Sequence, residues 1–323
     1  MISLSVILPI YKVEKYIRPC LESIFRQGLS DNEFEVILVN DGTPDNSIGI
    51  IDDIINQHNN IVVVNQSNKG VSHARNTGLA KAQGTYVYFV DPDDLVVDNC
   101  LSVLLPKAIL SNADVLLADF VKFSDDEDPA PLIHVENRQC KDELKNAADA
   151  YIEDLSPAEC YIWRMFLKRD FLINKQIDFK PFRYEDTLFC QECLLKAKTC
   201  LRVYTVLYAY RLRRGSFTSS MDLSGILDLN SSLTAISHLR DIEGLPKNAY
   251  NRLMNNIFAF FYFDLWCIAH NKNLYAERNI IISDLKAKIG SSDFVFKSDF
   301  KQRLVTFMFW NMPNFYLKIR TIL

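Results

Sequence analysis

Along the first ninety residues, apolar positions come in short runs separated by polar turns. Residues 4–10 (LSVILPI) form a short apolar run with β-branched members, the pattern of a strand buried on both faces. Ile17, Leu21, Ile24 and Phe25 then recur at helical spacing, and Gly28 stands just past their end. A second strand is predicted at Phe34–Val39, followed by a polar loop and a helix carrying Ile51, Ile54 and Ile55 on one side. A third strand at Ile61–Val64, a helix through Ser72–Ala82 and a fourth strand at Tyr86–Val90 complete the series. Strand and helix alternate, which predicts βαβ units and an α/β fold with a mostly parallel central sheet flanked by helices.

The pattern weakens after Phe123. Residues 124–131 (SDDEDPAP) are acidic and proline-containing, as expected of a solvated loop. Beyond Asp222 the spacing is almost wholly helical. Two regions are therefore expected: 1–222, carrying the sheet, and a helical carboxyl-terminal region, 223–323.

Composition narrows the class. The chain has 323 residues, 49% of them apolar and 24% charged, which suits a globular protein with a sizeable core. Its formal net charge of −4 divides unevenly: residues 1–220 carry −7 and residues 221–323 carry +3. An acidic body excludes a nucleic-acid-binding surface over the whole molecule. Eight cysteines at irregular spacing do not make a disulfide scaffold, and MISLSVILPIYK has neither the basic segment nor the cleavage site of a secretory leader. A reduced, cytoplasmic setting is expected. The longest apolar stretch, Ile257–Ala269, is too short to span a bilayer and contains Asp264.

In open α/β sheets ligands bind where loops converge at the carboxyl ends of the strands. Those positions hold Pro9 and Tyr11 after the first strand, and Asn40, Asp41, Gly42 and Thr43 after the second. Asn68, Lys69 and Gly70 follow the third, and Asp91-Pro92-Asp93-Asp94 follows the fourth. Three acids in four residues at a buried strand end call for a cation among them. Hard oxygen ligands suit Mg²⁺ or Mn²⁺ shared with a phosphate. A helix-capping role for Asp93 or Asp94 is the alternative that these residues alone leave open. Neither GxGxxG after the first strand nor GxxxxGK[ST] occurs, which disfavours nicotinamide dehydrogenases and P-loop ATPases. There is no Gly-x-Ser-x-Gly elbow, and the five histidines have no ligand or triad spacing. Cys190 and Cys193 lack the second pair a zinc site needs, so they read as core positions.

VILPIYKVEKYIRPCLESI, EVILVNDGTPDNS and NKGVSHARNTGLAKAQGTYVYFVDPDD together resemble the amino-terminal half of family 2 glycosyltransferases, with further blocks to about residue 220. The resemblance implies the GT-A (Rossmann-like) fold and a bacterial surface-polysaccharide enzyme. Such an enzyme moves a sugar, with inversion, from a nucleotide-diphosphate donor to an acceptor hydroxyl. It further implies that Pro9 and Tyr11 line the nucleobase, that Asp41 binds the base, usually uracil, and that Arg75 stands near the nucleotide. Asn40 occupies a place where many members have a second Asp. Asn68 is counted with the donor-binding set. Asp91-Pro92-Asp93 matches the DxD motif, with Asp93 on the metal and Asp91 on the ribose or sharing the metal. Asp186 in Tyr184-Glu185-Asp186 matches the general base. An alcohol is a poor nucleophile, so a carboxylate must take its proton. Glu185 belongs to the same catalytic pair, and as an acid it also suits a helix's first turn. Trp163 matches an aromatic near the acceptor, although Arg164 and Met165 replace the commoner Asn-Lys pair. Arg211 and Arg213, in the segment Tyr210–Thr218, match a loop that closes over the diphosphate.

The resemblance thus implies a divalent metal cofactor, a donor that is UDP-linked, a glycan or lipid-linked acceptor and no nucleic-acid partner. A nucleotidyltransferase would ordinarily carry a Gly-rich basic loop where Pro9-Ile10-Tyr11 stands. A binding or scaffold subunit without turnover would have no reason to keep Asp41, Asp91, Asp93 and Asp186 together. Residues 297–323 carry five cations against Asp299, with aromatics at helical spacing interrupted by Pro313. That is the pattern of a helix lying in a membrane surface, here the inner face of the plasma membrane, or of a lid or homodimer seam.

Overall fold

The computed structural model describes residues 2–130, 141–156, 159–213, 221–289 and 300–320. They fall into two compact units: residues 1–181 with 196–214, and residues 182–195 with 215–323. This division differs from the sequence boundary at 222, because a segment in the middle of the chain belongs to the second unit.

The first unit is built on one mixed sheet in which strands 61–65, 34–40, 4–10, 86–89, 165–168, 115–124, 199–212 and 95–96 lie side by side in that order, with strand 143–146 also paired to 199–212. Its first four strands are β1 (Leu4–Ile10), β2 (Phe34–Asn40), β3 (Ile61–Asn65) and β4 (Tyr86–Phe89), all parallel and all at the expected places. Every residue of β1 is buried, as its apolar run predicts, and the one polar member, Ser5, donates to Glu35 (2.6 Å). Pro9 is tolerated inside this central strand because β4 pairs only as far as Ile7↔Phe89, so no ladder partner needs the missing N–H. Helix α1 (Ile17–Phe25) buries Ile17, Cys20, Leu21 and Ile24, one face of a 3.6-residue repeat. The short α2 (Asp52–Gln57) buries Ile54. Helix α3 (Val71–Lys81) turns Ala74 and Gly78 toward the sheet. A Cβ at Gly78 would stand 2.4 Å from Ile7, so the small residue sets how closely helix and sheet approach.

The rest of the sheet was not legible in the hydrophobic pattern. Strand β5 (Leu95–Val96) is two residues long and is followed by α4 (Cys100–Ser111). Then come β6 (Val115–Ser124), β7 (Glu143–Asn146), helix α5 (Ala147–Glu153), β8 (Met165–Lys168), α6 (Arg169–Asn174) and the 14-residue β9 (Thr199–Leu212). β8 runs antiparallel to β4 and β6, and β9 runs parallel to β6. The sheet is therefore parallel in the half that the pattern announces and mixed beyond it.

The second unit is helical, as expected. It comprises α7 (Glu185–Lys196, of which Lys196 is grouped with the first unit), α8 (Leu223–His238), α9 (Lys247–His270), α10 (Lys272–Ala276), α11 (Arg278–Lys288), α12 (Phe300–Asn311) and α13 (Pro313–Arg320). Asp222 caps α8 by accepting a hydrogen bond from Gly225 N (2.7 Å). Within this unit Asn256 of α9 donates to Gln191 of α7 (3.2 Å). Cys190 and Cys193 are buried free thiols, as their core reading requires. None of the helices described is long and apolar enough to cross a membrane.

Candidate active site

The four parallel strands bring their carboxyl ends to one edge, and most of the residues singled out above stand there. The loops after β1 and β2 are tied together: Lys12 N donates to Thr43 Oγ1 (2.8 Å), Val13 N to Ser47 Oγ (3.1 Å) and Glu14 N to Asp45 (3.1 Å). Tyr11 projects from this edge, 41% exposed, whereas Pro9 lies inside β1 and is buried. Asn40 is committed locally, donating to Asn65 Oδ1 (2.9 Å) and accepting from Thr43 N (3.0 Å).

Asp41 is buried and already held by three donors: Gln66 Nε2 (2.7 Å), Lys69 N (2.9 Å) and Gly70 N (2.9 Å). Gln66 is itself fixed by a hydrogen bond from Thr77 (2.7 Å). Gly42, at φ +65°, lets the chain pass under Asn68, where a Cβ would come within 2.9 Å of a backbone nitrogen. Asn68 and Lys69 are exposed beside this anchored acid. Gln66 carried no signal in the sequence beyond its place after β3.

The acidic loop is clamped from the far side of the sheet. Leu95 and Val96 of β5 pair with Ala209 and Tyr208 of β9, which lays the loop 91–94 against β9's last residues. Tyr208 Oη accepts from Asp91 N (3.1 Å) and donates to Asp94 (3.0 Å), while Arg211 N donates to the other oxygen of Asp94 (2.7 Å). Asp94 is buried, and burial pushes its carboxyl well above the usual range, with Asp93 and Asp91 adding to the shift.

Guanidinium groups close the ring. Arg75, buried on α3, pairs with Asp91 (2.8 Å). Arg211 Nε donates to the Asp93 carbonyl (2.9 Å), and Arg213 forms an ion pair with the Asp93 carboxylate. Burial raises the Asp93 carboxyl, Asp91 raises it further, and Arg213 opposes both. Arg211 also reaches Asp125 (3.4 Å), which receives Lys15 (3.2 Å) and Tyr16 Oη (3.1 Å) as well. Asp125, in the stretch expected to be merely solvated, therefore anchors the arginine segment. Arg214–Thr218 of that segment lie outside the described residues.

Trp163, which can serve beside the acceptor or as a core aromatic, is buried. It is 1% exposed and stacks on Tyr208 (4.2 Å between centroids, 9°) and on Tyr161 (4.6 Å, 9°). Its ring lies in the core and presents no surface to an acceptor; it backs the tyrosine that holds the acidic loop. Arg164 is buried too, donating to the Ala118 carbonyl (3.1 Å). Asp186 and Glu185 form the first turn of α7 in the second unit, both half-buried, directly after Tyr184 at φ 63°.

Fold and edge together are those of the GT-A type of glycosyltransferase. The family described as glycosyl transferase family 2 matches residues 5–171, and the chain belongs to it. The chain is 35% identical over 222 residues to the uncharacterized glycosyltransferase EpsJ of Bacillus subtilis, covering 66% of this chain and 62% of that one. It is 30% identical to the glycosyltransferase GlyG of Streptococcus pneumoniae, covering 70% of this chain and 76% of that one. The S. aureus TarS 1–349 structure in complex with UDP-GlcNAc superposes with a TM-score of 0.79 at 21% identity, covering 99% of this chain and 91% of that one. At that identity the likeness speaks for the fold.

Proposed function

We propose that this glycosyltransferase inverts the anomeric centre of a UDP-linked sugar, depends on a divalent metal, and builds a bacterial surface polysaccharide. One observation carries the reading: the loop Asp91–Asp94, held by Tyr208, lies at the carboxyl edge of the sheet among Arg75, Arg211 and Arg213. A cluster of paired acids and guanidinium groups at such an edge suits a nucleoside diphosphate with its counter-cation. Support for a UDP donor comes from the TarS structures in complex with UDP and UDP-GlcNAc, and for the metal from a Pyrobaculum calidifontis mannosyltransferase in complex with GDP-Man and Mn2+.

The residues fit a hard divalent ion. Asp91 and Asp93 offer carboxylate oxygen, and because burial and Asp91 raise the Asp93 carboxyl, a cation beside it would favour its ionised form. Among the described residues no three His, Cys, Asp or Glu form a complete ligand set, so Asp93 and Asp91 would share the ion with the donor's phosphates. When bound, the ion supplies charge stabilisation to the departing diphosphate. The chain's own residues do the rest. Asp41, with Tyr11 beside it, receives the base; Arg75 orients Asp91; Arg211 and Arg213 take up negative charge on the leaving group. Asp186 takes the acceptor hydroxyl's proton as its oxygen bonds to C1. The C1–O bond to phosphate breaks on the opposite face, and its electron pair leaves with the diphosphate.

The acceptor we propose is a hydroxyl of a glycan or lipid-linked glycan. The teichoic acid biosynthesis protein GgaB of B. subtilis (33% identity over 65% of this chain) and the cholesterol galactosyltransferase of Borreliella burgdorferi (26% over 90%) support that class. The test is a panel of nucleotide sugars scored by thermal shift and diphosphate release with Mn²⁺. A UDP-sugar should raise the melting temperature by mass action and be slowly hydrolysed, and chelation should abolish both effects. Stabilisation by GDP-sugars alone would overturn the donor assignment.

A further inference from the structure

Inside the helical unit, beside the start of α7, lies a cavity of about 70 Å³. Its walls are apolar: Leu229, Leu233 and Ile236 of α8, all buried, and Phe260 of α9. Ser232 is the polar residue that α8 contributes; it is 1% exposed, and its hydroxyl has no hydrogen-bond partner among the described residues. Other hydroxyls of this helix behave differently. Ser231 donates to the Leu227 carbonyl (3.0 Å), Thr234 to that of Asn230 (2.8 Å) and Ser237 to that of Thr234 (2.7 Å). A buried hydroxyl left unpaired costs free energy that a fitting ligand recovers. At the start of α7 the cavity is lined by Tyr184 and Thr187, half-buried residues that flank Glu185-Asp186. Tyr184 holds φ at 63°, a conformation that bulky residues seldom adopt, and its carbonyl accepts from Thr187 N (3.1 Å), closing a turn around the acid pair. Asp186 and Thr187 are consecutive, with Cα atoms ~3.8 Å apart, less than the width of a sugar ring.

We propose that this cavity takes the acetamido group of an N-acetylhexosamine in the acceptor, its carbonyl accepting from Ser232 Oγ and its methyl resting on Leu229, Leu233 and Ile236. The proposal rests on the reading of Asp186 as the acceptor-side base. Size and lining decide the occupant. The space is a little over twice the ~30 Å³ that a water fills in the liquid, too little for a sugar ring or a lipid chain and enough for one short substituent. Water needs at least about two polar partners, and beside Leu233 and Ile236 it would find Ser232 alone. The hydroxyl of a plain hexose would leave the apolar walls uncovered. An acetamido group brings both a methyl for those walls and a carbonyl for the serine.

The test uses the full chain with the methyl glycosides of N-acetylglucosamine and N-acetylgalactosamine, against those of glucose and galactose, followed by saturation-transfer NMR with and without UDP and Mn²⁺. The acetamido methyl of at least one N-acetyl sugar should take up the strongest saturation, and that sugar should bind at least about tenfold more tightly than its plain counterpart. Ser232→Ala should lower the preference by about tenfold while melting no lower than the wild type, because it removes an unsatisfied hydroxyl from the free protein. A merely structural serine would leave the preference unmoved. Ser232→Leu, which fills the cavity, should abolish it; where that variant fails to fold, the alanine variant decides. Equal binding of N-acetyl and plain sugars, binding of neither, or an unchanged preference in Ser232→Ala would each overturn the proposal. So would an effect of Ser232→Ala confined to UDP-N-acetylglucosamine against UDP-glucose, which would give the cavity to the donor. The thermal shift by UDP, read on the same samples, keeps the two readings apart: its absence faults the donor assignment, while a retained acetamido preference still supports the cavity.

Discussion

Buried acids are treated in opposite ways in the two units. In the sheet unit buried Asp41 has three donors, buried Asp94 has Tyr208 and Arg211, and half-buried Asp91 and Asp93 each have a guanidinium. In the helical unit Asp264 of α9 is 0% exposed, and neither of its oxygens has a hydrogen-bond partner among the described residues. Burial, with Asp284 adding to it, pushes its carboxyl well above the usual range, with no partner to oppose the shift. A buried unpartnered polar group costs about 1–3 kcal/mol, and an ionised one costs more. The lesson is that burial alone does not mark a functional acid. What distinguishes the acids at the strand edge is their partners, oriented donors and cations that Asp264 lacks.

The comparison is broken most directly at Asp93. Asp93→Ala should lower transfer by about a thousandfold or more and abolish metal-dependent nucleotide binding, with melting nearly unchanged. Retained turnover would remove the acidic loop from the chemistry. Asp186 tests whether the helical unit also holds a working acid. Asp186→Asn should keep donor affinity and lose about 10²–10⁴ in rate, measured as kcat against donor KM. Equal loss of donor binding would make Asp186 structural. Tyr208→Phe removes the hydroxyl shared by Asp91 N and Asp94. It should lower kcat/KM by about tenfold and raise the metal concentration needed for half-maximal rate. A change in stability with no change in metal requirement would deny it a role in positioning the loop.

The smallest effect, and one on stability only, is expected at Asp264. Its folded carboxyl is raised, so the folded state holds the proton more tightly than the unfolded chain does. Its favourable contribution is complete below the ordinary aspartate range and is lost as pH rises toward the folded value. Asp264→Leu should therefore gain about 1–3 kcal/mol over the wild type at neutral pH, less in acid, with kcat unchanged. A pH-independent difference in melting temperature would contradict the assignment.

What was legible followed from physics that leaves a local trace. β1 to β4 are buried on both faces and so appear as apolar runs, and Asp41, Arg75, Asp91 and Asp93 sit at fixed distances after them. β5 is too short to make a pattern, and β9 has polar Arg202 and Thr205 among its buried positions and meets β6 through a register shift. The partners these strands bring, Tyr208 above all, were invisible for the same reason. For Trp163 the sequence left an acceptor-side and a core role open, because a motif match says nothing of burial; its 1% exposure is that of a core residue. Asp125 looked like one charge among several in an acidic loop until Arg211, Lys15 and Tyr16 were seen to converge on it.

Residues 182–195 belong to the second unit although β9, which follows them, belongs to the first. During synthesis the sheet can close once β9 has emerged, while Leu188, Phe189 and Cys193 of α7 still await α8 and α9. At ribosomal rates the interval from Leu212 to His270 is on the order of 3–12 seconds, during which the apolar side of α7 lacks its packing. The nascent chain is therefore exposed to chaperones or aggregation at one definable stage. A gene cut at residue 222 would make that stage permanent.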